Sequence, residues 1–281
     1  MMLVVVPGAA FLAQGAAGPG EIAPSAIEVI AGLGLGAYEV RQQLLRGVPF
    51  ALGADVERAR GTAVELRTLG IEAWAVDEDA WTRIPRTDVV KSFRLFPEGL
   101  ELTTRPTAQI PVATHAVRWD DVQLLLPARS VQSTTTELTT SKRKVALNPM
   151  KMKAKISVDH SREESEERFV IVLARSPDVL ARFNEHGMDY LGLGEQRGPV
   201  ARANYDTLVA LLKRGAGGAR VDDRLEKLAS RLSGAPTTAS SRASSTGGLT
   251  KKVERTFAAD NEGAVMNAAR LLCVVERLRR G

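Results

Sequence analysis

Apolar and polar positions along this chain follow three successive regimes. In the first, short apolar runs alternate with helical stripes. Leu3-Val4-Val5-Val6, closed by Pro7-Gly8, predicts a short buried strand ending in a turn. Pro24-Ser25 with Glu28 three residues on predicts a capped helix over 25–31. There the Ser25 hydroxyl accepts the Glu28 amide and the Glu28 carboxylate reaches back. That helix breaks at Gly32-Leu33-Gly34-Leu35-Gly36, and a second is expected over 37–46. A strand over 48–52 follows. Asp55 then caps an amphipathic helix whose inward positions are Val56, Ala59, Ala63, Leu66 and Leu69, ended by Gly70, and residues 71–76 make a third strand. The order is β-α-α-β-α-β, so residues 1–85 are expected to form a small α/β sandwich domain with helices on one face.

The second regime, residues 89–215, is rich in strands. Runs at 90–96 and 100–104 flank Pro97-Glu98-Gly99, a turn signature. Further strands are expected at 109–112, 122–126, 132–140, 169–174 and 179–184, with a long insert over 130–168. A closing helix follows Gly198-Pro199, with Tyr205, Leu208, Val209 and Leu212 on its inward stripe. Strands followed by one terminal helix predict an antiparallel α+β domain. In the third regime a short helix is expected over 216–232. Residues 233–250 are rich in Ser, Thr, Ala and Gly without apolar periodicity, which predicts a flexible linker. Residues 251–281 hold an amphipathic helix with Val265, Ala268, Leu272, Val275 and Leu278 on one side. These three- and four-residue steps make a narrow seam that needs a surface to cover. Its own domains, a second copy or another protein would serve, and tethering favours the first two. Arg270, Glu276, Arg277, Arg279 and Arg280 supply most of the polar remainder of this helix.

Composition adds constraints. A chain of 281 residues with 44% hydrophobic and 25% charged side chains is ordinary for a globular protein, but 5% aromatics leave the cores to Leu, Val, Ile and Ala. The one cysteine, Cys273, excludes an internal disulfide framework and a Cys-rich zinc site. It lies among Leu271, Leu272, Val274 and Val275, as a buried structural thiol would. The apolar opening lacks the basic region of a secretory signal, since the first basic side chain is Arg41. Together with the unpaired cysteine this points to the cytoplasm. Residues 1–88 carry 7 basic and 11 acidic side chains, a balance of −4 that leaves +9 for the rest of a chain whose net charge is +5.

The β-α-α-β-α-β order with Gly-Leu-Gly-Leu at 32–35, and the passage Leu66-Arg67-Thr68-Leu69-Gly70-Ile71-Glu72-Ala73, resemble the C-terminal domain of the bacterial ribosomal stalk protein. In that family, lysines around the turn engage translation factors. Here Glu28 and Glu39 flank it without lysine, so the resemblance implies the fold and not the factor binding. Phe93-Arg94-Leu95-Phe96-Pro97-Glu98-Gly99-Leu100 is similar to the first hairpin of bacterial pleckstrin-homology-like domains, and Val117-Arg118-Trp119-Asp120-Asp121-Val122 to their step into a later strand. That resemblance implies a bent antiparallel sheet capped by a helix, used as an interaction or membrane-surface module. The facing basic residues that bind inositol phosphates in some relatives are not evident: Lys91 and Arg94 have only Arg105 beyond the turn.

Candidate chemistry is sparse. Gly-x-Gly-x-Gly at 32–36 follows a helix rather than a strand, so a helix–helix turn is expected and not a dinucleotide fingerprint. Gly192-Leu193-Gly194 also lacks the fingerprint spacing. The histidines His115, His160 and His186 are scattered, and each reads as a turn or surface residue. Asp77-Glu78-Asp79 reads as a solvated strand end, because consecutive side chains diverge on regular backbone. Glu163, Glu164, Glu166 and Glu167 are expected to pair across a hairpin with the basic stretch Lys142, Arg143, Lys144, Lys151, Lys153 and Lys155. Lys151, Lys153 and Lys155 alternate with Met150, Met152, Ala154 and Ile156, which puts the ammoniums on one face of a strand. That suits anionic lipid or nucleic-acid phosphates, and equally a charged edge protected from aggregation. No catalytic residue, cofactor or metal is implied. The expectation is a non-catalytic interaction protein (scaffold, adaptor or regulatory subunit) binding another protein or itself. The alternative is a binder of anionic membrane or nucleic acid, and an unassigned enzyme stands third.

Overall fold

Leu3 to Val6 form β1 (Met2–Val6), and all four side chains are buried. Alternate residues on a strand face opposite ways. Leu3 and Val5 accordingly join one core and Val4 and Val6 another. In this computed structural model the described residues are 1–7, 22–106, 111–143, 154–232, 235–246 and 250–280. They divide into two compact units. Unit 1 joins Met1–Arg129, Glu167–Leu232 and Val265–Gly281; unit 2 joins Ser130–Glu166 and Ser233–Ala264. Unit 1 is of mixed α+β class and unit 2 is built almost wholly of strands, and the boundaries differ from those expected, since residues 1–85 belong to the larger unit.

Within unit 1 a three-stranded antiparallel sheet has the order β2-β1-β3, from β2 (Phe50–Gly53) and β3 (Glu72–Val76). Helices α1 (Pro24–Ala31), α2 (Ala37–Arg46) and α3 (Val56–Thr68) cover the Leu3/Val5 face through Ala26, Ile30, Val40, Leu44, Ala63 and Leu66. The β-α-α-β-α-β order is therefore as expected. Asp55 caps α3 by accepting the Arg58 amide at 2.9 Å. The capping box at Ser25 is corrected. Pro24 occupies the start of α1 behind Ala23 and no side chain caps it, because proline is preorganised for the first helical turn. The reciprocal contact sits instead at Gly36, whose amide donates to Glu39 Oε2 at 3.2 Å. Asp77 does not end a strand freely: it caps α4 (Glu78–Thr82), accepting the Ala80 amide at 2.6 Å.

The large sheet runs, within unit 1, in the order β7-β8-β9-β4-β5-β6. Its strands are β4 (Thr87–Phe96), β5 (Gly99–Thr104), β6 (Thr114–Arg118), β7 (Val122–Arg143), β8 (Ala154–Ala174) and β9 (Val179–Asn184). A two-residue strand, β10 (Arg220–Val221), pairs with β7 in parallel. Three expectations change here. The strands at 122–126 and 132–140 are one strand, and the sheet is not wholly antiparallel, since β4 pairs with β9 in parallel. The strand expected at 109–112 falls partly outside the described residues, and the next strand is β6. One face is closed by α5 (Ala201–Gly215), through Tyr205, Leu208 and Leu212 as expected. A short helix α6 (Arg224–Lys227) follows.

The last helix, α7 (Glu262–Arg280), lies in a core with Val4, Val6 and Val76 of the small sheet and with Leu124, Leu126, Phe169, Ile171, Leu173 and Leu180 of the large one. Val265, Ala268, Leu272 and Val275 are buried in it, while Leu278 stays 36% exposed. Leu271, Cys273 and Val274 are buried as well, so the helix has apolar contacts all round its middle rather than along one seam. Glu276 is corrected from polar surface to buried hub. It is 3% exposed, accepts Arg280 Nε at 2.7 Å and Arg279 Nη1 at 3.3 Å, and lies 3.5 Å from Arg220 Nη1.

In unit 2 the expected linker is instead a strand pair, β11 (Ala235–Thr246) and β12 (Thr250–Asp260), in the order β11-β12-β7-β8. The insert over 130–168 is the outer length of β7 and β8. β12 pairs with β7 from Thr250↔Lys142 to Asp260↔Gln132 without a break, and Arg255 falls opposite Glu137. A Ser/Thr chain has no face to bury, yet the backbone ladder and such cross-strand pairs hold it extended.

Leu272→Asp should cost about 4 kcal/mol or more in urea denaturation, because the site loses its packing and gains an unpaired buried charge. Burial pushes the Cys273 thiol up to about 12. A thiol reagent at pH 8 should therefore leave it unmodified until denaturant unfolds the chain.

Candidate functional site

The basic stretch is only partly described. Lys144, Lys151 and Lys153 lie outside the described residues; Lys142 and Arg143 end β7, and Lys155 is the second residue of β8. Register adds two lysines from the segment 251–281, expected to be helical but strand β12 up to Asp260: Lys251 lies opposite Ser141 and Lys252 opposite Thr140. The acidic run does not behave as one block. Arg162 pairs with Glu164 at 2.6 Å, while Glu167 turns to His186. The seam residues Val265, Ala268, Leu272 and Val275 are covered by unit 1 itself and are closed to a partner.

His115 lies 3.7 Å from Asp88, and His160 is exposed on β8. The third histidine is more interesting. His186 follows β9 in a turn, and Glu167 of the neighbouring strand clasps it twice. Glu167 Oε1 accepts the His186 amide at 3.1 Å, and Oε2 lies 2.9 Å from Nδ1. A carboxylate only accepts, so Nδ1 carries the proton and Nε2 is left as an acceptor in the neutral ring.

This turn opens a cleft of about 540 Å³ whose walls run from Glu185 to Tyr190 and from Arg197 to Asn204. Local geometry makes the walls rigid. Gly187 adopts φ +72°, and its carbonyl accepts from Arg105 Nη2. Asn204, buried at the start of α5, clasps Gly198 from both sides: Oδ1 accepts its amide at 2.6 Å and Nδ2 donates to its carbonyl at 3.0 Å. Gly192 packs so closely on β4 that a Cβ would lie 2.0 Å from the Phe93 carbonyl oxygen. Gly192-Leu193-Gly194 thus serves chain packing, and Gly34 in the other glycine run takes φ +103° in the turn between α1 and α2.

Behind the cleft Arg168 gathers three carboxylates: Asp206 at 2.6 Å, Glu226 at 3.6 Å and Glu185 at 3.9 Å. Its guanidinium lies 4.7 Å from the Tyr205 ring centroid. Burial, reinforced by neighbouring carboxylates, raises the phenols of Tyr190 and Tyr205 far above their ordinary value, so both stay protonated. The Tyr190 hydroxyl donates to the Glu185 carbonyl at 2.9 Å. That of Tyr205 is buried without a partner.

A second hollow, near 370 Å³, is lined by Gln123, Arg175, Asp178, Arg277 and Arg280. Its guanidiniums are already committed, Arg175 to Asp121 at 3.5 Å, Arg277 to Asp178 and Arg280 to Glu276. Among the described residues no helix is long and apolar enough to cross a membrane, and no three His, Cys, Asp or Glu side chains converge as a metal site requires. No protein-family model, curated protein or solved structure matches this chain.

Tyr205→Phe removes a buried hydroxyl that lacks a partner. Stability should hold or rise by about 1 kcal/mol in thermal or urea unfolding; a loss of that size would reveal a hydrogen bond through bound water.

Proposed function

We propose that this chain is a cytoplasmic, non-catalytic interaction protein, a scaffold, adaptor or regulatory subunit, that docks a protein partner on the sheet of unit 2. One observation supports this reading above others: among the described residues, no apolar side chain of unit 2 is buried. On β8 all eleven residues from 156 to 166 are exposed, including Ile156 at 64% and Val158 at 45%. Successive strand residues face opposite ways, so that stretch is bare on both faces. Antiparallel sheets ordinarily bury one face, and strands without an apolar face are marginal in water. A covering layer or an added strand from a partner would supply the missing burial.

Charge favours a protein over an anionic surface. The outer strand β8 carries Asp159, Glu163, Glu164 and Glu166 against Lys155 and Arg162, while β11 and β12 carry Arg242, Lys251, Lys252 and Arg255 against Glu254 and Asp260. A membrane or a nucleic acid would be repelled along the acidic strand; a protein with patches of both signs would not.

Ile156→Glu with Val158→Glu tests the proposal. Both sites are exposed, so the melting temperature should move by no more than about 2 °C. Affinity capture from the native host should show a stoichiometric protein with the wild type and a tenfold or greater loss with the variant. Equal capture by both would overturn docking on this sheet. Binding to acidic vesicles or DNA that is lost on reversing Lys251 and Lys252 to Glu would move the function to the anionic alternative.

A further inference from the structure

We propose that the cleft beside His186 binds a ligand ending in an ammonium or guanidinium on an aliphatic stem. Its polar groups sort into those already used and those left over. The amides of His186, Asp189 and Gly198 are bonded to Glu167, Lys91 and Asn204, and the carbonyls of Gly187 and Gly198 to Arg105 and Asn204. Apart from the exposed Arg197, the charged or ionisable side chains lining the cleft are acceptors. Glu185 is the key one: its residue is 6% exposed, lines the cleft, and has for its carboxylate only the 3.9 Å approach of Arg168 Nη1, a guanidinium shared with Asp206 and Glu226. A cation in the cleft would bring that carboxylate a donor at hydrogen-bond distance. In the neutral ring His186 Nε2 is the second acceptor, the tautomer being set by Glu167. Asp189 adds a third through its second oxygen, since Oδ1 holds the Leu191 amide at 2.9 Å.

Three acceptors fit a group that presents several N–H donors and a positive charge. The one cationic side chain lining the cleft, Arg197, is exposed and screened by solvent. Met188, Tyr190, Pro199 and Ala201 give apolar walls for a methylene stem, and about 540 Å³ lies within the range of small-ligand sites. This site lies wholly in unit 1 and is independent of the docking proposed for unit 2.

The full-length chain should be titrated calorimetrically with agmatine and 1,5-diaminopentane, with succinate as the anionic control. At least one of the two amines should bind at millimolar concentration or below and raise the melting temperature, while succinate does neither. Glu185→Gln, confirmed folded by circular dichroism, should bind at least tenfold more weakly. Asp189→Asn, at an exposed position, should weaken binding several-fold and keep the fold even where the first variant does not. A blocked arginine, N-acetyl-arginine amide, separates the sources: tighter binding than agmatine puts the cation on a polypeptide, weaker binding on a free amine. No heat and no thermal shift with either amine at 10 mM would overturn the proposal. So would unchanged affinity in folded Glu185→Gln, or succinate binding as tightly as the amines.

Discussion

Unit 1 depends on a helix that the chain supplies last. Both sheets of the unit present an apolar face that helices α1, α2, α3 and α5 do not cover, and α7 fills the space between those faces. Its middle is therefore buried on every side, which is the signature of an interior helix rather than a surface one. The polar side chains of α7 serve the same end. Arg270 donates to the carbonyls of Trp81 and Ile84, Arg277 to that of Arg83, and Arg280 to that of Gln123. Buried Glu276 faces Arg220, Arg279 and Arg280, so its charge is compensated where it would otherwise be costly. Helix packing and helix charge thus point to one position, and neither leaves a seam for an outside partner.

The same constraint explains why residues 1–85 do not stand alone. A freestanding α/β sandwich would keep the open face of its sheet polar, yet β1 places Val4 and Val6 there, with Val76 from β3. The sign was present in the pattern. Leu3-Val4-Val5-Val6 is continuous rather than alternating, and a continuous apolar run belongs to a strand covered on both sides. Helices α1, α2 and α3 cover one of those sides; the other requires α7.

What could be read from the sequence follows how local each interaction is. The inward positions Ala59, Ala63 and Leu66 of α3, the stripe of α5, the Asp55 cap and the hairpin of β4 and β5 are decided within a few residues and stand where periodicity puts them. Val56 and Leu69, expected inward at the ends of α3, are exposed where the helix runs past the sheet. The strand state of residues 235–246 is decided elsewhere. Its Ser, Thr and Ala side chains carry no face preference, and what holds it is the register with β12, which β7 sets from more than a hundred residues away. The cleft was illegible for a similar reason. His186, Glu167 and Glu185 carry no signal singly, and only the pairing of β8 with β9 brings the Glu167 carboxylate, within β8, onto a turn histidine. Glu276 shows the converse: an acid among arginines at a helix end reads as surface until two of those arginines and Arg220 of β10 are found facing it.

The two units solve the burial problem in opposite ways, and this bears on how each could bind. In unit 1 the apolar side chains gather in three cores, and its exposed ones, such as Tyr38 and Leu191, are scattered along the chain, so recognition there would come from a few placed groups inside a rigid concavity. Gly187 and the Asn204 clasp fix that concavity before any ligand arrives, which keeps the entropy cost of binding low. Unit 2 leaves its side chains exposed and relies on its backbone ladder, so recognition there must come from area and from strand edges. Small charged molecules suit the first kind of surface and folded partners the second.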